Sequence, residues 1–292
     1  MTAKLSLKTQ LIVAFTMFFW GSAFVGIRVS LVSYSPGSMA LFRFLIASFC
    51  MLLIYLGLKK RTPISWRECL KLLSLGATSI AVYHVALNQG EVTVASGIAS
   101  FIVSQAPIIT AVLAYFFLNE RFTRLGVLGL VISFIGVFII FKANDVAIRV
   151  ELGVLYILIA ALASSVYSVW QKPFLKKFHA IEVTAFLIWG GTFLLLFYLP
   201  DLWREIPKAS LLATASVVYL GIFPAAIAYL GWSYVLSKMS ASRATNYLYF
   251  MPIISSLMGW WLLGEVPAPM ALFGCVIALV GVWVVNYSHA RR

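Results

Sequence analysis

Residues 107–120 read PIITAVLAYFFLNE, and residues 252–265 read PIISSLMGWWLLGE. A shift of 145 residues lays one on the other, and the match runs without a gap from Leu75–Val137 onto Leu220–Val282. Leu75-Gly76 meets Leu220-Gly221, and Pro107-Ile108-Ile109 meets Pro252-Ile253-Ile254. Leu118 and Glu120 meet Leu263 and Glu265. Gly129, Val131, Ile132, Gly136 and Val137 meet Gly274, Val276, Ile277, Gly281 and Val282. Chance would align some apolar residues in so hydrophobic a chain. Proline, glutamate and three glycine pairs in one register mark an internal repeat.

Outward from these stretches, ten apolar segments follow one another, near 10–31, 36–58, 70–90, 94–118, 124–142, 152–172, 181–199, 210–236, 242–263 and 268–286. Composition says which solvent they meet. Hydrophobic types make up 62% of the 292 residues and charged types 11%, against about a quarter charged in soluble domains. So few charges do not cover a water-exposed surface of this size, which argues against a soluble enzyme, a nucleic-acid binder or a disordered chain. A spanning helix needs about 20 apolar residues, and in lipid each segment must be a helix because its backbone needs internal partners. The ten-residue alternation of a membrane barrel is missing. The expected fold is therefore all-α: a polytopic membrane protein of ten transmembrane helices in two five-helix repeats, residues 1–146 and 147–292. Five is odd, so the second repeat enters the bilayer inverted. Inverted repeats recur in secondary transporters, with the substrate site near the midplane between the halves.

Basic residues set the orientation. Of the 22 Lys and Arg, a cytoplasmic N-terminus leaves only Arg28, Lys142, Arg149, Arg204 and Lys208 outside and Arg43 within the second span. All others, from Lys4 to Arg291 and Arg292, fall inside. Both termini are thus expected in the cytoplasm. The net charge of +13 is read as this loop bias and not as a nucleic-acid surface. Lys4 and Lys8 before an apolar stretch mimic a signal peptide, but Leu11–Leu31 is too long and nine segments follow, so a retained first span is expected. Cys50, Cys69 and Cys275 are too few and too scattered for a disulfide framework or a metal site.

The motifs resemble a known family. Pro107-Ile-Ile-Thr through Leu118-Asn-Glu120, with Gly129 and Gly136, is similar to the end-of-repeat signature of the EamA branch of the drug/metabolite transporter superfamily. Pro252-Ile-Ile-Ser through Leu262-Leu-Gly-Glu265, with Gly274 and Gly281, is its second copy. Phe19-Trp20-Gly21-Ser22-Ala23-Phe24 and Ala40-Leu-Phe-Arg43-Phe-Leu resemble the first-repeat signature, whereas Ala163-Ser164-Ser165, the counterpart of Trp20-Gly21-Ser22, is degenerate. The resemblance implies a ten-helix exporter of small metabolites in the bacterial inner membrane, most like the exporters of aromatic amino acids.

Polar side chains inside spans are costly and usually face the bundle or a cavity. Spacings of three and four put His84, Asn88 and Glu91 on one face of span three, with Tyr83 alongside. Span four carries Ser96, Ser100 and Ser104 with Gln105, span six Ser164, Tyr167, Ser168 and Gln171 with Trp170, and span nine Ser242, Thr245, Asn246 and Tyr249. The repeat shift pairs His84 with Tyr229, Asn88 with Ser233, Ser100 with Thr245 and Ser104 with Tyr249. A central cavity lined by spans one, three, four, six, eight and nine is inferred. Its candidate substrate-binding residues are Trp20, Phe24, Tyr83, His84, Asn88, Ser100, Ser104, Gln105, Tyr167, Trp170, Tyr229, Asn246 and Tyr249. Against this, membrane Ser and Thr often bond only their own turn, and many aromatics, Trp203 among them, belong to interface belts.

Other residues carry simpler expectations. His84 is expected to donate a hydrogen bond, not to relay protons. Arg43 can snorkel, pair with Glu91 or attract a substrate carboxylate, and snorkelling or structural pairing is the expectation. Glu120 and Glu265 each stand before the next helix, whose positive end favours an acid. Gly129, Ser133 and Gly136, like Gly274, Ala278 and Gly281, form a small-residue face for close packing. Pro107, Pro224 and Pro252 kink their spans.

The function expected is export of amino acids, aromatic and other neutral ones, by alternating access. A phosphate loop of the GxxxxGK[ST] type is missing, so ATP is not a partner. With no carboxylate placed deep in a span, uniport is expected over proton antiport. The alternative is an exporter of cationic aromatic drugs or other small metabolites by proton antiport, which calls for an intramembrane acid. An enzyme would need a metal, paired acids or an activated nucleophile; HExxH and a nucleophile elbow are lacking. The partners expected are a small-molecule substrate and the bilayer, with no cofactor, no metal and no nucleic acid. A monomer is expected rather than a dimer.

Overall fold

The computed structural model describes residues 6–120, 123–143, 152–265 and 269–290. Lys4, Arg121, Arg149, Arg291 and Arg292, and the expected repeat boundary at 146/147, lie outside these residues, as do the side chains of Val137, Cys275 and Val282. Among the described residues the secondary structure is helical and no strand occurs.

The helical stretches, in chain order, are α1 (Leu7–Ser30), α2 (Pro36–Leu56), α3 (Trp66–Glu91), α4 (Ser96–Leu118), α5 (Arg124–Ala143), α6 (Leu152–Leu175), α7 (Ala180–Lys208), α8 (Leu211–Lys238), α9 (241–263) and α10 (Pro269–Ala290). Seven of them, α1–α4 and α6–α8, are long and apolar enough to cross a bilayer. Arg124–Gly136 and Leu272–Val285 supply shorter apolar stretches within α5 and α10. Large apolar side chains point away from the bundle all round it, Phe197 (82% exposed), Leu211 (85%) and Trp261 (80%) among them. That suits a lipid solvent and no aqueous one.

Local chemistry starts and stops these helices. Ser6 accepts from Thr9 N to open α1, and Ser65 with Glu68 forms a capping box at α3. Ser210 accepts from Ala213 N at α8, and Ser240 from Arg243 N at α9; each gives a partner to an otherwise orphaned N–H. Asn119 (φ 54°) ends α4 and Gly264 (φ 70°) ends α9. Both hold the left-handed turn that Asn and Gly tolerate best, and they are repeat counterparts. Glu120 N donates to Ala114 O and Glu265 N to Gly259 O, again counterparts.

Irregularities recur in the same register. α3 widens to a π turn at Ala77–Ala81, and α8 does so at Gly221–Ile227. α4 breaks at Ser104-Gln105 and restarts with Pro107 in its first turn. α9 tightens to a 3₁₀ turn at Asn246–Phe250 and restarts with Pro252. Pro107 and Pro252 therefore begin new helical segments, where a missing N–H costs nothing, and do not kink continuous ones. Of these three prolines, Pro224 sits inside a continuous helical stretch, within the π turn.

The halves interlock. α1 packs on α8 and α9, and its counterpart α6 packs on α3 and α4; α2 packs on α7 and α8, and α7 on α2 and α3. α5 packs along its own counterpart α10. Small residues allow that closeness. A Cβ on Gly136 would stand 2.3 Å from Ala278 N, and one on Gly281 would stand 2.4 Å from Ser133 N. Ser133 Oγ donates to Ala278 O at 3.1 Å. Counterpart residues of the two halves thus touch one another here.

Glu120 and Glu265 correct one expectation. Glu120 accepts from Ala241 N (2.9 Å), Ser242 N (3.2 Å) and Ser242 Oγ. It thus caps the start of α9, not of α5. Glu265 accepts from Ser96 Oγ at 2.7 Å at the start of α4. The acid meets a helix N-terminus, as dipole physics asks, but in each case that of the other repeat.

Candidate functional site

The bundle encloses a cavity walled by Trp20, Ala23, Phe24 and Ile27 of α1, Arg43 of α2, and Ser79, Ile80, Tyr83, His84 and Leu87 of α3. Val103, Ser164, Tyr167, Ser168, Tyr229, Trp232, Leu248 and Met251 complete it. The six expected spans all contribute, and α2 joins them through Arg43. The π turn of α3 borders it through Ser79 and Ile80, and the π turn of α8 holds the wall residue Trp20 through the Pro224 carbonyl. A π turn frees carbonyls from the helical ladder, and Trp20 Nε1 donates to Pro224 O at 3.0 Å.

The polar centre is a short chain. Arg43 Nη1 lies 3.4 Å from His84 Nδ1, and His84 Nε2 lies 2.9 Å from Tyr229 Oη. Arginine only donates, so Nδ1 accepts and Nε2 carries the hydrogen towards Tyr229. His84 thus donates as expected. Its partner is its own repeat counterpart. Rings surround the chain. Tyr229 stands edge-on to Trp20 (5.4 Å between centroids) and to Tyr167 (5.4 Å), and Trp232 lies 5.1 Å from Trp20. Phe44 packs 4.6 Å from His84 on the opposite side. The cavity volume is about 50 Å³, room for a few waters. Sites for small organic ligands run to roughly 300–1,000 Å³, so the rings here are drawn together over a closed site.

Six of the thirteen candidates wall this cavity: Trp20, Phe24, Tyr83, His84, Tyr167 and Tyr229. The other seven stand elsewhere. Asn88 Nδ2 donates to Pro36 O at 2.9 Å and ties α3 to the start of α2. Ser100 and Ser104 bond their own turns, at Gly97 O (2.8 Å) and Phe101 O (2.6 Å), and Gln105 Nε2 also reaches Phe101 O (3.2 Å). Trp170 is 36% exposed and packs on Phe117 at the bundle's outer surface. Asn246 and Tyr249 are buried behind the wall, to which their neighbours Leu248 and Met251 contribute. The 3₁₀ turn explains that phase error, because it advances 120° per residue where an α-helix advances 100°.

Arg43 is the main residue the sequence reading undervalued. It does not snorkel. It is 2% exposed, its Nε has no hydrogen-bond partner, and no ion pair among the described residues includes it. Trp232 was within reach of the spacing argument, since it follows Tyr229 by three residues on one helix face. Among the described residues, no group of three His, Cys, Asp or Glu is placed to hold a metal ion.

A membrane bundle built from paired halves, closing on a small polar and aromatic chamber, defines the class of multi-pass membrane transporters. The chain belongs to the EamA-like transporter family, whose profile matches residues 7–142 and again 151–287. The uncharacterized transporter YdfC of Bacillus subtilis is 41% identical over 264 residues, covering 90% of this chain and 86% of the relative. A probable terminal-alkyne amino-acid exporter of Streptantibioticus cattleyicolor is 35% identical over 277 residues, covering 95% and 93%. A solved crystal structure at 20% identity superposes with a TM-score of 0.76 over 98% of this chain and 99% of its own, a likeness of fold. The family and these relatives are transporters.

Proposed function

We propose that this protein exports amino acids with apolar side chains, aromatic ones foremost, across the bacterial inner membrane by alternating access. Ten spans in two inverted repeats, residues 1–146 and 147–292, would carry it as a monomer with both termini in the cytoplasm and without ATP. The counterpart contacts, the placement of Glu120 and Glu265 at helix starts of opposite halves and the matched π turns support the inverted pairing. The observation that carries the substrate reading is Arg43. A buried guanidinium without an acid beside it leaves a positive charge uncompensated, which is unfavourable until an anion arrives. Around it stand Trp20, Tyr83, Tyr167 and Trp232. A carboxylate on Arg43, with an apolar or aromatic body among the rings, suits both features; guanidinium and carboxylate are matched bidentately. The cationic-drug alternative sets a second positive charge beside Arg43. The relative described as an amino-acid exporter agrees with this choice.

The test is competition in liposomes holding the purified protein. Exchange of labelled phenylalanine should be inhibited by unlabelled phenylalanine and tryptophan, and not by phenethylamine, which lacks the carboxylate. Inhibition by phenethylamine equal to that by phenylalanine would reverse the assignment of Arg43 and favour the drug exporter.

A further inference from the structure

One carboxyl group in the bundle is left unexplained by the chamber. Glu91 ends α3 seven residues beyond His84, on the face that carries His84 and Leu87 into the cavity wall. It is 0% exposed, and neither carboxyl oxygen has a hydrogen-bond partner. From α1, Arg28 Nη1 donates to the backbone carbonyl of Glu91 at 2.8 Å, not to the carboxyl. Beyond α9, Glu265 stands 4.0 Å from Arg28 Nε and accepts from Ser96 of α4. On α2 the nearest charge is Arg43, already set against His84. On α6, Gly153 and Ile157 press on Gly90, and neither titrates. Arg28 thus faces the Glu265 carboxylate, and among the described residues no cation stands within ion-pair distance of the Glu91 carboxyl. A hollow of about 520 Å³, lined in part by Arg28, Glu91, Ser210 and Glu265, opens next to them.

A bare carboxylate with no donor is strongly unfavourable in such a place. Both oxygens are closed off, so an ammonium group or metal ion does not reach them without movement of the bundle, whereas a proton does. Ionisable groups inside membrane bundles characteristically mark ion pathways. The expectation of uniport rested on the lack of a deep carboxylate, and Glu91 removes that ground.

We propose that Glu91 is a proton-coupling site. It takes a proton from the outer side through the Arg28–Glu265 hollow, carries it in the closed state, and releases it inside before substrate binds, so that one proton enters for each substrate exported. The identity of the substrate and the sidedness rest on the amino-acid exporter reading above; the proton on Glu91 does not.

Two measurements on the full-length protein test it, one of them free of substrate. Infrared difference spectra of wild type minus Glu91→Gln at neutral pH should show the C=O stretch of a protonated carboxyl group; a spectrum without that band overturns the proposal. In liposomes with the voltage clamped at zero, a gradient of one pH unit should concentrate phenylalanine about tenfold at one proton per substrate. Glu91→Gln should give equal concentrations on both sides, and Glu91→Asp should restore accumulation. Tenfold accumulation by Glu91→Gln, or wild type that exchanges phenylalanine without accumulating it, overturns the coupling role. An infrared band together with no phenylalanine exchange at all would support the proton site and reject phenylalanine as the cargo.

Discussion

Replacing Glu120 by alanine tests the cap that joins the halves. The carboxylate accepts from two adjacent backbone N–H groups and from Ser242 Oγ. Bonds to charged acceptors contribute about 1.5–3 kcal/mol each when counted singly. The three do not add, because they share one carboxylate at one helix start, and loss of a cap costs at most about 2 kcal/mol in measured cases. Glu120 is only partly buried, so water takes up some of the freed donors. A loss of about 1.5–2 kcal/mol follows, or roughly 3–8 °C in Tm by the scaling of larger domains. The assay is thermal unfolding in detergent of Glu120→Ala, Ser242→Ala and the double variant. Because Ser242 Oγ bonds Glu120, the two effects should fall short of additive by about 1 kcal/mol. A Tm within about 2 °C of wild type for Glu120→Ala, or strict additivity, would refute the cap across repeats.

Other predictions follow from single positions. Gly264→Asn should cost under about 1 kcal/mol, since Asn119 holds the same left-handed turn, while Gly264→Val should cost about 1–2 kcal/mol more; unfolding midpoints decide it. Gly136→Leu would drive a side chain into the α10 backbone and should destabilise by roughly 3 kcal/mol or more, past ordinary overpacking, seen as lost monodispersity and lowered Tm. Arg43→Gln should weaken phenylalanine binding by about 2–5 kcal/mol, the scale for a buried charged pair losing one partner, and should not weaken competition by phenethylamine. Trp20→Ala should impair exchange, whereas Trp170→Ala, on the outer surface, should leave the substrate affinity within about twofold.

The repeat was legible because Pro, Glu and Gly are rare enough in an apolar chain to align only by descent or constraint. The aromatic wall was legible in part for the same reason: Trp20, Tyr83 and Tyr167 stand beside polar stripes. The stripes themselves misled. Ser100 and Ser104 satisfy their hydroxyls on their own turns, which no spacing rule distinguishes from a cavity-facing role. Trp170 failed because adjacent residues on a helix stand about 100° apart, so its place next to Gln171 in sequence turns it off the stripe of Ser164, Ser168 and Gln171 and onto Phe117. The partners of Glu120 and Glu265 needed the tertiary fold, since the helix start each one meets lies in the other half of the chain. Arg43 was read by its cost in lipid, and its surroundings, not its residue type, decide that it stays inside.

The central claim is that the chamber around Arg43, His84 and Tyr229 passes amino acids between two sides of a membrane. Counterflow tests it most directly. Purified protein in liposomes is preloaded with a mixture of unlabelled amino acids, and entry of labelled phenylalanine is followed at equal pH on both sides. The account predicts rapid entry that overshoots equilibrium, competes with tryptophan and disappears in Arg43→Gln. Entry no faster than in protein-free liposomes, for phenylalanine and for every other amino acid in the mixture, would contradict it.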